Sequence, residues 1–314
     1  MKRSRLLCLF IGVPFLFSCL SLRNFEDVAY DAFEATWTLR LNEGESSDLD
    51  TLKGMVYSVA AVLDTEGSIR NGLTKLNEEG EATLEEDAYD CLKIAYSLYQ
   101  ETEGYYHPLL GRLSRANKAA LEAGAPLNAE EALAMVMEAN ATTLAFEDSS
   151  KTVRKTGNGQ IDLGGIGKGY CQKKQLAYLE GKGFTKYLID GGTSSWLIGK
   201  REDGGEYGVR PSDYQDLLFY CSKKALSTSS ISRQQYEIDG VTYSHIIHPK
   251  TGSSIPSYTG ITVLHDDPAI ADALSTAMMS MELSDIGELA SSFSAEALVI
   301  RDGGIVYETD GFRG

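Results

Sequence analysis

The chain has 314 residues, and length and composition together describe one large globular domain or two modest ones. Hydrophobic residues make up 43% and charged residues 24%, which excludes a largely disordered chain and a bundle of membrane helices. The 45 acidic residues outnumber the 29 basic ones, and the net charge is −16. Such a field repels polyanions, so it disfavours nucleic-acid binding, whereas spare carboxylates suit a metal site.

The first twenty residues have the pattern of a secretory leader. Three basic residues precede an apolar stretch, 6–17, that is too short to span a bilayer. The stretch ends at Ser18-Cys19, which resembles the lipobox of bacterial lipoproteins; an ordinary signal peptide with an accidental cysteine is the alternative. We expect a lipoprotein signal peptide over 1–18, a lipid on Cys19 and a tether over 19–30. The chain would then be anchored to a bacterial cell membrane, facing the periplasm or the cell exterior.

The other cysteines indicate neither a zinc site nor a disulfide framework. Cys8 would leave with the leader, and the remaining Cys91, Cys171 and Cys221 are odd in number and lack C-x-x-C spacing. Buried thiols are the simpler expectation.

The predicted elements are rich in helix before residue 150 and rich in strand after it. Helices are predicted over 48–63, from the capping box at 83–86 to residue 99, from the capping residue Asn128 to residue 138, from the end of a glycine-rich turn to residue 175, and over 268–281. Strands are predicted over 33–41, 143–146, 160–163, 186–189, 196–198, 207–209, 217–220, 235–238, 241–243, 261–264, 297–300 and 305–308. The pattern predicts a mixed α+β fold, with a weak boundary near residue 150.

The most informative segment is 162–170, DLGGIGKGY. It is not a Walker P-loop, because Asp162 stands where the first glycine belongs and Gly169 where Ser or Thr belongs. It also lacks the glycine spacing of a dinucleotide fingerprint. What remains is a strand, a glycine-rich turn and a helix, whose N-terminal amides and Lys168 can bind an anion. A tight turn without a ligand is the alternative.

This segment resembles the D-L-G-G-I-A-K-G-Y segment of the ApbE family, the FAD:protein FMN transferases. Further segments resemble motifs of that family, in the family's order: 34–37 (EATW), 73–77 (LTKLN), 102–108 (TEGYYHP), 191–193 (GGT), 225–229 (ALSTS), 243–252 (YSHIIHPKTG) and 271–277 (ADALSTA). The resemblance runs from about residue 30 to the end. It implies an ApbE-like domain over 31–314, with mixed sheets, flanking helices and a T-fold-related architecture.

The resemblance also implies a function. An enzyme of this family is extracytoplasmic and Mg²⁺-dependent; it cleaves FAD, links FMN by a phosphoester to a Thr or Ser of a target flavoprotein, and releases AMP. The implied partners are FAD, the target flavoprotein and the membrane through the lipid anchor, with no nucleic acid. Two alternatives stay open: an FAD pyrophosphatase that yields free FMN and AMP, and a lipid-anchored flavin-binding protein without chemistry.

The family motifs assign roles to particular residues. The metal ligands fall on the main-chain carbonyl of Gly165 and on Asp272 and Thr276, whose i, i+4 spacing turns both oxygens to one side of a helix. A capping carboxylate is the alternative for Asp272. His245 matches the family's histidine, the candidate to take the proton from the attacking hydroxyl, with a hydrogen-bonded core histidine as the alternative.

The expected FAD-binding residues come from several motifs. They are Asp162, Lys168, Phe33, Gly192, Thr193 and Ser229. Tyr243 and Trp37 offer rings that can stack on a flavin or adenine, although aromatic residues in strands more often belong to the core.

The chain departs from the family pattern at a few of these positions. His107 and His248 replace Asp, Thr193 replaces Asn and Ser230 replaces Gly, and the family's tryptophan is missing near Asn117. Position 248 thereby loses a carboxylate that could orient His245 or raise its pKa. Ser230 narrows the approach of the backbone to a ligand. We expect these changes to affect rate and flavin affinity more than the fold.

Overall fold

The computed structural model describes residues 27–65, 70–192, 194–232 and 234–313. The expected signal peptide and Cys19 lie outside this part of the chain. Within it, no helix combines the length and the apolar character needed to cross a membrane.

The structure combines helices with antiparallel sheets, which confirms the predicted α+β fold class. In chain order they are β1 (Val28–Ala32), β2 (Ala35–Leu41), α1 (Ser46–Leu63), α2 (Gly72–Glu79), β3 (Glu81–Thr83), α3 (Glu86–Glu101), α4 (Gly111–Glu122), α5 (Ala129–Asn140), β4 (Thr143–Glu147), β5 (Thr152–Thr156), α6 (Gly167–Gly181), β6 (Tyr187–Asp190), β7 (Ser195–Ile198), β8 (Tyr207–Val209), β9 (Phe219–Cys221), β10 (Lys224–Ser230), β11 (Gln235–Ile238), β12 (Val241–Ser244), β13 (Gly260–His265), α7 (Pro268–Met278), α8 (Leu283–Ser292), β14 (Glu296–Arg301) and β15 (Gly304–Glu308).

An antiparallel sheet of eight strands, ordered β1-β2-β6-β7-β10-β13-β14-β15, organises the fold. Smaller antiparallel sheets are formed by β3-β5-β4, β8-β9 and β11-β12. Parallel pairing among the described residues is limited to one bridge between Leu110 and Gln160.

Helix α7 is a core helix rather than an amphipathic surface helix. Nine of its eleven residues are buried, because it packs against α6, β10 and β13. On the other side of the sheet, a smaller apolar cluster that includes Leu226, Leu298 and Phe312 covers the strands. The polar residues of α7 are therefore held at fixed positions inside the protein.

The main hydrophobic core contains residues from both sides of position 150. Leu52 and Leu92 of the first half belong to the same cluster as Ile261 and Ala297 of the second half. The weak boundary predicted near residue 150 therefore does not separate two cores.

The predicted strand 33–41 is confirmed over Ala35–Leu41, which is β2, but its first two residues form the turn of a hairpin. Strand β1 pairs with β2 across a two-residue turn, Phe33-Glu34, in which both residues are left-handed, with φ of +51° and +55°. Gly, Asn or Asp normally occupy such turns, so the Phe-Glu pair gives no turn signal. Part of the segment expected to be a tether, 19–30, consequently belongs to the sheet, which begins at Val28.

Other local predictions are mixed in outcome. Asn128 caps α5 as predicted, since its side chain accepts hydrogen bonds from the Glu130 and Glu131 amides. The capping box at Thr83 is wrong: Thr83 ends β3 and its hydroxyl meets that of Thr152 at 3.0 Å, so α3 starts only at Glu86. The predicted strand 160–163 forms a single bridge, and α2, α4 and α8 were not predicted.

Candidate active site

The glycine-rich turn ahead of α6 is fixed by side chains from distant segments. Asp162 makes the turn-fixing hydrogen bond expected of it, since its Oδ1 accepts from the Gly164 amide at 2.8 Å. The Asn77 side chain bonds both backbone polar groups of Ile161, the residue before Asp162. Its Oδ1 accepts from the Ile161 amide at 2.6 Å, and its Nδ2 donates to the Ile161 carbonyl at 3.2 Å. The Asp162 amide donates to the Pro108 carbonyl at 2.9 Å. The turn is thus held rigidly at the start of α6, where helix amides favour an anion.

Helix α6 approaches α7 so closely that only glycine fits at the contact. A methyl group built on Gly169 would meet the Pro268 carbonyl oxygen and would lie 2.6 Å from Asp272 Cβ. The close approach lets the Gly169 amide donate to Asp272 Oδ2 at 2.9 Å. The close contact of the two helices therefore explains why position 169 is a glycine and not the Ser or Thr of a P-loop.

The Asp272 carboxylate is 6% exposed and is surrounded by neutral donors. Besides the Gly169 amide, the hydroxyls of Ser227 and Ser195 donate to its Oδ1 at 2.7 and 3.4 Å. Burial raises its pKa, and the charge of Lys168, acting at longer range, partly offsets this. A buried carboxylate without an adjacent cation is costly, and a bound cation would relieve that cost.

Thr276 and Gly165 lie together beside this carboxylate. A methyl group built on Gly165 would be 3.1 Å from Thr276 Oγ1, and the Ser229 hydroxyl lies 3.1 Å from the same oxygen. Ser227 and Ser229 alternate along β10, so both face α7. Gly165 therefore lies next to Thr276, and Asp272 lies one helical turn before Thr276 on α7, so the three expected metal ligands come from neighbouring parts of the α6–α7 contact.

The chemistry of this donor set fits magnesium. A carboxylate, a hydroxyl and a main-chain carbonyl are all hard oxygen donors, and Mg²⁺ commonly combines one or two protein carboxylates with waters and substrate phosphates. Among the described residues, no three His, Cys, Asp or Glu side chains are grouped closely enough to hold a metal on their own. A cation here would accordingly depend on neutral oxygens and on its substrate.

His245 follows the last residue of β12 and reaches solvent. Its Nδ1 lies 3.4 Å from the Gln234 carbonyl oxygen, which favours a proton on Nδ1 and leaves Nε2 as the acceptor. Packing around the ring lowers the pKa of His245, and the nearby charge of Lys168 lowers it further. The buried Asn117, near the place of the family's tryptophan, donates from Nδ2 to the Ser244 carbonyl at 3.2 Å and so anchors the residue before His245.

The two histidines that replace family aspartates preserve the local turns. His107 Nδ1 accepts from the Leu109 amide at 3.3 Å, and His248 Nδ1 accepts from the Lys250 amide at 3.2 Å. In each case the acceptor bonds the amide two residues ahead, as an aspartate does in an Asx turn. Each histidine therefore holds the backbone of its loop in the conformation that an aspartate would hold.

The remaining predicted flavin-binding residues are more scattered. The Phe33 ring lies beside the glycine turn, 3.3 Å from a methyl group built on Gly167. Gly192 is left-handed, with φ of +81°, and approaches Ala35, whereas Thr193 lies outside the described residues. Lys168 is half-buried at the start of α6.

One aromatic candidate is excluded and another is retained. Trp37 is fully buried, and its Nε1 donates to the Ala32 carbonyl at 3.1 Å, so it belongs to the core and offers no stacking face. Tyr243 remains half-buried on β12 and can still present its ring.

Sequence reasoning missed several residues around the carboxylate. Ser227 could have been found from its alternation with Ser229 along one strand. Ser195, Tyr106 and the packing role of Gly169 had no such signal, because their proximity to Asp272 or Gly165 arises only from the packing of α3, α6, α7 and the sheet.

The fold and the site define a class: an α+β protein in which a glycine-rich turn leads into a helix that packs against a buried carboxylate. The chain belongs to the ApbE family, whose model matches residues 34–299. Among solved structures, the chain resembles the ApbE protein of Thermotoga maritima, with a TM-score of 0.79 and 20% identity over 91% of this chain and 97% of that one. It likewise resembles the flavin transferase ApbE from Vibrio cholerae, with a TM-score of 0.73 and 22% identity over 91% and 97%.

Two curated relatives are named FAD:protein FMN transferase. The Vibrio cholerae protein is 34% identical over 160 residues, or 49% of this chain and 46% of that protein. The Escherichia coli K12 protein is 29% identical over 126 residues, or 38% and 36%. The matched regions thus cover less than half of the length of each of these relatives.

Proposed function

We propose that this protein is a Mg²⁺-dependent FAD:protein FMN transferase. Membership of the ApbE family and the names of its relatives support the reaction. The observation that carries the proposal is the buried Asp272 carboxylate, which lies against the N-terminal turn of α6 and whose hydrogen-bond donors among the described residues are neutral.

In this proposal Gly165, Asp272 and Thr276 hold the cation. When bound, Mg²⁺ neutralises the pyrophosphate of FAD and stabilises the charge that develops on the AMP leaving group. The amides at the start of α6 and the Lys168 ammonium add positive potential on the same side. This local field overcomes the repulsion of an anionic substrate by a chain whose net charge is −16.

The FAD-binding surface is proposed to continue from the glycine turn. Asp162 keeps the turn amides in place, and Phe33, Ser229, Gly192 and Thr193 contribute the flanking contacts.

His245 is proposed to accept the proton of the attacking Thr or Ser hydroxyl. The hydroxyl oxygen forms a bond to the phosphorus of the FMN half, the bond from that phosphorus to the bridging oxygen breaks, and AMP leaves with that oxygen. The lowered pKa of His245 keeps the ring neutral near pH 7, as a proton acceptor must be. The Gln234 carbonyl and Asn117, acting through Ser244, hold the ring at the end of β12.

The lipidated Cys19 is proposed to anchor the enzyme to the bacterial cell membrane on its periplasmic or outer side. That location would bring the enzyme to extracytoplasmic flavoproteins, its acceptor partners.

The test compares Asp272→Asn with Asp266→Asn. This control removes an exposed carboxylate that precedes α7 and pairs with Lys224 at the surface. Each protein is incubated with FAD, Mg²⁺ and a candidate flavoprotein in its apo form, and flavin fluorescence of the denatured acceptor and AMP are measured. The wild type and Asp266→Asn should yield a fluorescent acceptor and AMP. Asp272→Asn should yield neither, while its circular dichroism stays native.

Three outcomes would contradict the proposal. AMP with free FMN and an unlabelled acceptor would identify a pyrophosphatase. FAD binding without AMP would identify a flavin-binding protein. Full activity of a folded Asp272→Asn would remove the assigned metal ligand.

A further inference from the structure

Tyr106 carries a hydroxyl that the described protein leaves unsatisfied. The residue is 3% exposed, and its phenol oxygen is buried without a hydrogen-bond partner among the described residues. Buried polar groups in native proteins nearly always have a partner, so an orphan of this kind indicates a ligand or a water.

One edge of the Tyr106 ring lies next to two of the expected metal ligands, Gly165 and Thr276. A methyl group built on Gly165 would lie 3.3 Å from Tyr106 Cε2, next to its contact with Thr276 Oγ1. The hydroxyl also lies within electrostatic range of the Asp162 and Asp272 carboxylates.

The backbone holds this ring in place. The Tyr106 amide donates to Thr102 Oγ1 at 3.0 Å, and that hydroxyl donates to the Leu98 carbonyl at 2.7 Å at the end of α3. Burial, together with the thiol of Cys91 and the two carboxylates, raises the pKa of Tyr106, so the phenol keeps its proton.

We propose that the Tyr106 hydroxyl hydrogen-bonds a water molecule held by the cation at Gly165, Asp272 and Thr276, and that it strengthens cation binding in this way. The inference rests on the metal site of the proposed function. Mg²⁺ keeps several of its waters when it binds to protein, and the hydrogens of such a water point away from the metal toward an acceptor. A protonated phenol oxygen can accept a hydrogen bond from such a water.

Tyr106→Phe removes the hydroxyl and keeps the ring. Tyr30→Phe is the matched control, since Tyr30 is also buried with an unsatisfied hydroxyl but lies on β1 against Trp37. Mg²⁺ binding to the full chain is measured by calorimetry and by the rise in melting temperature, each without FAD and then with it.

Loss of one hydrogen bond should weaken Mg²⁺ binding by Tyr106→Phe about threefold to tenfold without FAD. Without Mg²⁺, the melting temperature of Tyr106→Phe should equal or exceed that of the wild type, because the variant no longer buries a hydroxyl that lacks a hydrogen-bond partner. Tyr30→Phe should bind Mg²⁺ as the wild type does.

The other outcomes overturn the inference in distinguishable ways. Equal Mg²⁺ affinity of Tyr106→Phe and wild type would refute the role of Tyr106 alone. Weakening seen only with FAD present would assign the hydroxyl to a substrate phosphate instead of a water. A wild type that binds no Mg²⁺ with or without FAD would refute the metal site of the proposed function, and this inference with it.

Discussion

The contact between α6 and α7 predicts that Gly169→Ala is strongly destabilising. Alanine normally favours a helix over glycine by about 1 kcal/mol. Here the added methyl would meet backbone, the Pro268 carbonyl oxygen, and would lie 2.6 Å from Asp272 Cβ. Backbone cannot turn aside as a side-chain end can, so the two helices have to separate.

The magnitude follows from two losses. Overpacking of a well-filled core costs roughly 1–3 kcal/mol. Separation of the helices also stretches the 2.9 Å bond from the Gly169 amide to Asp272, and a hydrogen bond to a charged group contributes about 1.5–3 kcal/mol. After the gain in helix propensity, we expect Gly169→Ala to lower the free energy of unfolding by about 2–5 kcal/mol.

Urea unfolding measures this effect, with Gly54→Ala as the control. Gly54 lies inside α1, is exposed, and a methyl group there meets no atom within 4 Å, so its replacement should raise the free energy of unfolding by up to about 1 kcal/mol. Mg²⁺ binding by Gly169→Ala should weaken together with stability, because Asp272 is displaced. Equal stability of Gly169→Ala and wild type would refute the close contact between the helices.

Further predictions concern the histidines and the leader. His245→Gln should slow FMN transfer by roughly 10²–10⁴-fold while FAD affinity changes less than about tenfold, and an equal loss of binding in a fluorescence titration would make His245 a flavin contact. Because the pKa of His245 is lowered, the acid limb of the kcat/KM profile should have its midpoint below pH 6.5, the approximate pKa of a free histidine. A midpoint at or above pH 6.5 would contradict the assignment. His248→Asp should preserve or improve transfer, and a large loss would show that the imidazole itself is needed. Burial lowers the pKa of His107 to about 4, so stability should be complete above pH 6.5 and decline as the pH falls toward 4, and urea unfolding of His107→Asp should lack this decline. Cys19→Ser should release the protein from membranes, and unchanged retention in fractionated cells would count against the lipobox.

Local sequence determined much of this fold. The apolar spacing over 48–63 predicts a helix, and α1 spans Ser46–Leu63; Asn128 predicts a cap and provides one. Asp239-Gly240 predicts a tight hairpin, and both residues adopt the left-handed conformation that the turn requires. Each of these features is decided by residues within a turn or two of one another, so the pattern alone suffices.

The candidate site could be predicted only in part. The i, i+4 spacing of Asp272 and Thr276 and the family motifs indicate which residues belong to it. The spacing and the motifs do not indicate that Trp37 is buried in the core. Nor do they indicate that histidine can replace aspartate in the turns at His107 and His248. A two-residue turn of Phe and Glu likewise escapes prediction, because the sheet imposes on them a conformation that they rarely adopt alone.

What only the tertiary structure decided is the environment of the carboxylate. Gly169 lies 103 positions before Asp272, and Ser195 and Ser227 lie 77 and 45 positions before it. No local propensity encodes these contacts; they arise because α7 is buried between α6 and the sheet, where at position 169 the close approach of the backbones leaves room for glycine only. The sequence supplies the groups, and the packing of distant segments brings them together around one buried carboxylate.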